Sequence, residues 1–124
     1  MKLPENYFYT RDHEWVSSKT GQVTIGVTAY AVEQLGDIVH VELPEPGDEF
    51  EAGDSFGTIE STKTVSDLYL PAAGKVLEIN DAIQEHPEKL QESPFEGGWL
   101  IKVEFTASAE ELMTPSEYDS FIQE

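Results

Sequence analysis

The chain has no cysteine, only seven Lys and Arg residues against 25 Asp and Glu, and no apolar run long enough to span a bilayer. The missing thiol excludes disulfides, thiolate metal ligands and a cysteine nucleophile at once. Redox chemistry on sulfur would have to be carried by an attached group. A net charge of −18 repels phosphate backbones and anionic lipid, which argues against nucleic acid and membrane partners and in favour of basic patches on other proteins. Neither an apolar signal segment nor a basic, acid-poor presequence opens the chain. A soluble, reducing compartment is expected, most simply a bacterial cytoplasm; a mature organellar protein shorn of its presequence would have the same character.

No catalytic constellation stands out. His13, His40 and His86 lie far apart without metal-ligand spacing, and the acidic run Asp48-Glu49-Phe50-Glu51 lacks the oxygen-donor pattern of a calcium loop. No serine sits in a nucleophile elbow, and no glycine-rich loop cradles phosphate. A carrier or binding role is expected rather than an enzyme.

What is present is β-sequence. With 124 residues, 39% of them hydrophobic, the expectation is one domain over 1–124. Tyr7–Thr10 and Glu14–Val16 read as a first strand pair or as one strand with a bend. Val23, Ile25 and Val27 alternate with small polar residues, the period of a half-buried strand. Thr28 is placed to cap a helix over Ala29–Leu35 that Gly36 ends. Further strands are expected at Ile38–Leu43, Ser55–Glu60, Val65–Leu70, around Val76–Ile79, and through Trp99, Ile101, Val103 and Phe105. Asn80 reads as the cap of a short helix, with Pro87 breaking the segment into two single turns. Two capping boxes, Ser108 with Glu111 and Thr114 with Glu117 behind Pro115, predict a helical C-terminal segment over about 108–124. Its Tyr118, Phe121 and Ile122 share the face that packs on the body. The turn spacing predicts a mainly antiparallel β-sandwich or barrel with peripheral helices.

From Thr20 to Gly74 there are ten acidic residues and one basic residue, Lys63. Lys63 falls between the strand runs Ser55–Glu60 and Val65–Leu70, at a hairpin tip. An amine displayed there is open to a modifying enzyme. With an eight-carbon acyl group it would make a tether of about 12–15 Å, able to visit several active sites at high effective concentration. A plain solvated turn lysine is the alternative reading.

The sequence resembles the glycine cleavage system H-protein family over nearly its whole length. The resemblance rests on Tyr9-Thr10, His13-Glu14-Trp15-Val16, Ile25-Gly26-Val27-Thr28, Gln34-Leu35-Gly36-Asp37-Ile38-Val39, Val41-Glu42-Leu43-Pro44, Glu60-Ser61 with Lys63 and Val65-Ser66-Asp67-Leu68, then Gly74 and Gly98-Trp99-Leu100. It implies a mainly β, hybrid barrel-sandwich fold of the lipoyl/biotinyl carrier type, with short peripheral and C-terminal helices. It implies lipoate attached covalently to Lys63. The arm would take an aminomethyl unit at a pyridoxal-phosphate glycine decarboxylase, deliver it to a tetrahydrofolate-dependent aminomethyltransferase, and be reoxidised by an FAD-containing dihydrolipoyl dehydrogenase. Lipoate-attaching enzymes would be further partners. In the family the loaded arm folds back into a cleft, and the matching positions here are Glu14 and Asp67. As isolated residues, both read equally as solvated acids. Thr62 and Thr64 flank the lysine where Val and Ala are commoner, and Asp12 stands where an uncharged residue is usual. The alternatives are a lipoate-relay or regulatory lipoyl protein without glycine cleavage, and an unmodified acidic β-domain that binds a basic partner.

Overall fold

The computed structural model describes residues 3–123. The period-two segments become strands: β1 (Phe8–Tyr9), β2 (Glu14–Val16) and β3 (Gln22–Val27), then β4 (Ile38–Glu42), β5 (Glu49–Phe50), β6 (Ser55–Ser61), β7 (Val65–Tyr69), β8 (Gly74–Ile79) and β9 (Ile101–Phe105). In β3 and β9 the apolar residues pair directly, Val23 with Val103 and Ile25 with Ile101. Lys102 and Glu104 point to solvent between them, because successive strand side chains face opposite sides.

Two antiparallel sheets result. One runs β1-β2-β3-β9-β8-β5 and the other β4-β6-β7. Val23, Ile25, Val76 and Val103 of the first sheet share one buried cluster with Val41, Phe56, Ile59 and Leu68 of the second. The architecture is mainly β, as expected, with the barrel left unclosed. Gly26 pairs with Trp15 across β2 and β3. The indole lies where a Cβ on Gly26 would sit, so only glycine allows this approach.

The helices are α1 (Ala29–Leu35), α2 (Asp81–Glu85), α3 (Lys89–Glu92) and α4 (Pro115–Ile122). Thr28 caps α1 by accepting from the Ala31 N–H at 3.2 Å. The Thr114–Glu117 capping box forms in both directions at the start of α4. Tyr118 of α4 joins Tyr9 and Trp15 in a second buried cluster on the other side of the β1–β2 edge, with Phe121 and Ile122 packed against it. Each large side chain removed from water there contributes about 1.5–3 kcal/mol, and this burial ties α4 to the sheet.

Two local expectations fail for the same reason. Residues 108–114 form no helix despite the Ser108–Glu111 pattern. Met113 instead exchanges both backbone hydrogen bonds with Tyr9, and the Ala109 N–H donates to the Lys19 carbonyl. Asn80 occupies the N-cap position of α2 without capping it. Its side-chain amide donates to the Gly97 and Trp99 carbonyls at 3.0 and 2.7 Å. In both places, tertiary partners outcompete a local motif for the same polar groups.

Candidate functional site

The β6–β7 hairpin carries Lys63 on a turn that Ser61 organises. Ser61 is buried, and its Oγ accepts from the backbone N–H groups of Lys63 and Thr64 at 3.2 and 3.1 Å. Its own N–H donates to the Thr64 carbonyl, and the Thr62 N–H donates to the Asp37 carbonyl beyond α1. The tip is therefore tied both internally and to the neighbouring helix. Thr62, Lys63 and Thr64 are all exposed. Among the described residues no carboxylate forms an ion pair with Lys63.

The lysine stem does not project freely. It crosses Gly36, the residue that ends α1. That helix has no basic residue in its last turn, and the Lys63 ammonium supplies a positive charge at its negative end from another element.

Leu35, next to Gly36, lines a cleft of about 280 Å³ that also includes Tyr30, Gln34, Asp12, His13 and Asp67. A second hollow of about 370 Å³ opens beside Thr10, Arg11, Glu14, Tyr69 and Glu111, and Asp12 lines both. The two acids singled out from sequence thus lie in adjoining hollows, separated by Asp12. Tyr69 links them: its backbone N–H donates to Glu14 Oε2 at 2.7 Å, and its hydroxyl reaches Asp67 at 3.5 Å. Asp67 is exposed.

Glu14 is no surface acid; it is 1% exposed. Thr10 Oγ1 donates to its Oε1 at 3.2 Å. Burial is the largest influence and pushes its carboxyl up to about 8, against the two hydrogen bonds and with help from the Asp12 charge. Among the described residues no cation forms an ion pair with Glu14.

His13 has no metal-ligand spacing and drew no role from the sequence, because its contacts are remote in the chain. It adopts a left-handed backbone, φ 66°. Its ring packs on Tyr30 at 5.0 Å, and its Nδ1 lies 2.9 Å from the Tyr118 hydroxyl. The other histidines stand apart: His40 is exposed on β4, and His86 lies 3.6 Å from Glu88. Among the described residues no three His, Asp or Glu side chains converge as metal ligands, and no helix is long and apolar enough to cross a membrane.

A family model described as "Glycine cleavage H-protein" matches residues 7–124. The chain belongs to the glycine cleavage H-protein family. Within that family the chain is 48% identical to the glycine cleavage system H protein of Oceanobacillus iheyensis and 49% identical to that of Staphylococcus saprophyticus, over the full length of each. A crystal structure of a glycine cleavage system H protein from Mycobacterium marinum superimposes with a TM-score of 0.92 at 43% identity, covering 98% of this chain and all of that one. The expected fold type and the lipoyl-carrier role in the glycine cleavage system follow from this membership.

Proposed function

We propose that Lys63 carries lipoate in amide linkage and that the cleft beside it receives the loaded arm. One observation carries this reading: an exposed lysine, without an ion pair among the described residues, stands on a fixed hairpin tip with its stem packed on Gly36, whose neighbour Leu35 lines a cleft. The cleft suits such a group. Leu35, Val27 and Ile59 offer apolar lining, and Asp12 and Asp67 offer carboxylates, so it fits an alkyl chain ending in an ammonium. Attached to Lys63, lipoate would supply the redox-active disulfide that the chain itself lacks.

The chain's own residues present, orient and shield that arm, and contribute no catalytic group. Ser61 and Asp37 fix the tip. Asp67 and Asp12 attract the ammonium, while Glu14 ionises as the positive charge approaches. The partners would be the pyridoxal-phosphate glycine decarboxylase, the tetrahydrofolate-dependent aminomethyltransferase, the FAD-containing dihydrolipoyl dehydrogenase and the lipoate-attaching enzymes. Val65, 60% exposed beside the tip, and Glu60 across from it give such partners an apolar and acidic surface to read.

Intact-mass measurement and peptide mapping of the protein from its native source test this reading. A lipoyl increment on the Lys63 peptide is expected, and Lys63→Arg removes it. An unshifted mass, or a lipoyl group on another lysine, overturns the assignment.

A further inference from the structure

We propose that Tyr118 of α4 is a positioning residue for the cleft: its hydroxyl, bridging Thr28 and His13, holds the His13 imidazole with Nδ1 as a hydrogen-bond acceptor, so the cleft presents carboxylates and no competing cation. This rests on the reading that the arm of Lys63 enters the cleft.

A chain of hydroxyls runs from Thr28 through Tyr118 to His13. Thr28 Oγ1 lies 2.7 Å from the Tyr118 hydroxyl, which lies 2.9 Å from His13 Nδ1. Thr28 Oγ1 also accepts the Ala31 N–H as the cap of α1. Two proton orders fit these distances. If Nδ1–H donated to Tyr118 and Tyr118 donated to Thr28, the Thr28 proton would have no acceptor among the described residues. Thr28 is fully buried, and a buried donor left unmet is costly. The reverse order satisfies both buried hydroxyl protons: Thr28 donates to Tyr118, and Tyr118 donates to Nδ1. The His13 proton then sits on Nε2, and the ring is neutral.

The surroundings favour the same state. Burial holds the imidazole below its ordinary titration range, against the opposing pull of Asp12. The ring is clamped between Tyr30 at 5.0 Å and Phe121 at 5.8 Å. Its left-handed backbone is secured by the His13 N–H donating to the Thr10 carbonyl and by the Thr28 N–H donating to the His13 carbonyl. The titratable and charged groups around it are Asp12 on its own loop, Tyr30 of α1, Asp67 of β7 across the cleft and Tyr118 of α4; the Arg11 guanidinium lies over Phe121 instead. A histidine sharing a cleft with Asp12 and Asp67 would ordinarily be drawn toward protonation and would neutralise the charge that an ammonium needs. The Tyr118 proton opposes this by occupying Nδ1.

The test begins with the unmodified full chain, labelled with ¹⁵N-histidine. Long-range proton–nitrogen spectra should show His13 as the Nε2–H tautomer, titrating below the ordinary imidazole range. A Nδ1–H tautomer in the parent protein overturns the proposal without any variant being made. In Tyr118→Phe, which keeps the buried ring, His13 should titrate higher and lose its fixed tautomer; an unchanged titration also overturns it. In lipoylated, amine-loaded protein the same variant should lose the amine about fivefold faster, the worth of one neutral hydrogen bond, with a larger effect at lower pH and lipoylation unchanged. If Lys63 proves not to be lipoylated, the tautomer and titration results still decide the role of Tyr118.

Discussion

The ε-methylene of Lys63 lies 3.0 Å, and its ammonium nitrogen 3.6 Å, from the point that a Cβ on Gly36 would occupy. The end of a helix is thus bare of side chain where the stem of the exposed lysine crosses it. Gly36 has φ 85° and ψ −143°, close to a region essentially reserved for glycine, so the backbone requires it and the flexible lysine stem occupies the space it leaves.

Gly36→Ala is therefore expected to cost about 1–3 kcal/mol of stability through strain and also to displace the lysine stem. Gly21→Ala and Gly47→Ala are controls: both glycines have positive φ, but a Cβ on either meets open space. Urea unfolding reads the strain in all three variants. The rate of enzymatic lipoate attachment should change in Gly36→Ala alone; equal rates would remove the stem contact from the account.

The buried Glu14 carboxyl predicts a pH dependence. Its protonated form is favoured in the fold up to about 8, whereas an unfolded chain loses that proton near pH 4.5. The folded state then holds the extra proton, so stability is full below about pH 4.5 and declines as pH rises toward about 8, by an amount on the order of a few kcal/mol. Glu14→Gln should flatten this part of the stability–pH curve, and Asp12→Asn should move its upper end to lower pH. Parallel curves for the parent and Glu14→Gln would contradict the assignment.

Asp67 and Glu14 should separate binding from stability. Asp67→Asn alters an exposed side chain and should leave the unfolding midpoint within about 0.5 kcal/mol, while hastening release of the amine from the loaded protein. Glu14→Ala should also hasten release, with lipoylation intact, but lower stability as well by opening a hole beside the Tyr69 and Thr10 donors. Release kinetics and denaturant unfolding, measured on the same preparations, distinguish the two.

Ser61→Ala removes the acceptor shared by the Lys63 and Thr64 amides. A loss of about 0.5–1.5 kcal/mol is expected, the net worth of a typical hydrogen bond, since water can reach the exposed Lys63 and Thr64. Amide hydrogen exchange should speed up at those two residues before it does so elsewhere in β6 and β7. Uniform loosening of the whole chain would show that Ser61 serves the core rather than the tip.

Several features were legible because their signals are local. Val23, Ile25 and Val27 alternate within one strand; Thr28 and Thr114 cap helices that begin beside them; and Lys63 lies between two runs that pair across a short turn. The resemblance of the whole chain then identified the family. Where a local signal met a distant competitor it misled: Ser108 with Glu111 has the form of a capping box, yet Met113 pairs with Tyr9. Asn80 likewise gave its amide to residues 17 and 19 positions away.

The sequence by itself determined the strand pattern, two of the capped helices, the acidic charge and the lysine at the hairpin tip. All of these depend on spacing or composition along a few residues. Only the tertiary structure decided that Glu14 is buried, that Gly36 lies under the lysine stem, and that Tyr118 reaches Thr28 and His13 from 90 and 105 residues away. These properties depend on which side chains the two sheets and α4 bring together, and on how much water that packing removes from them. No local pattern encodes either.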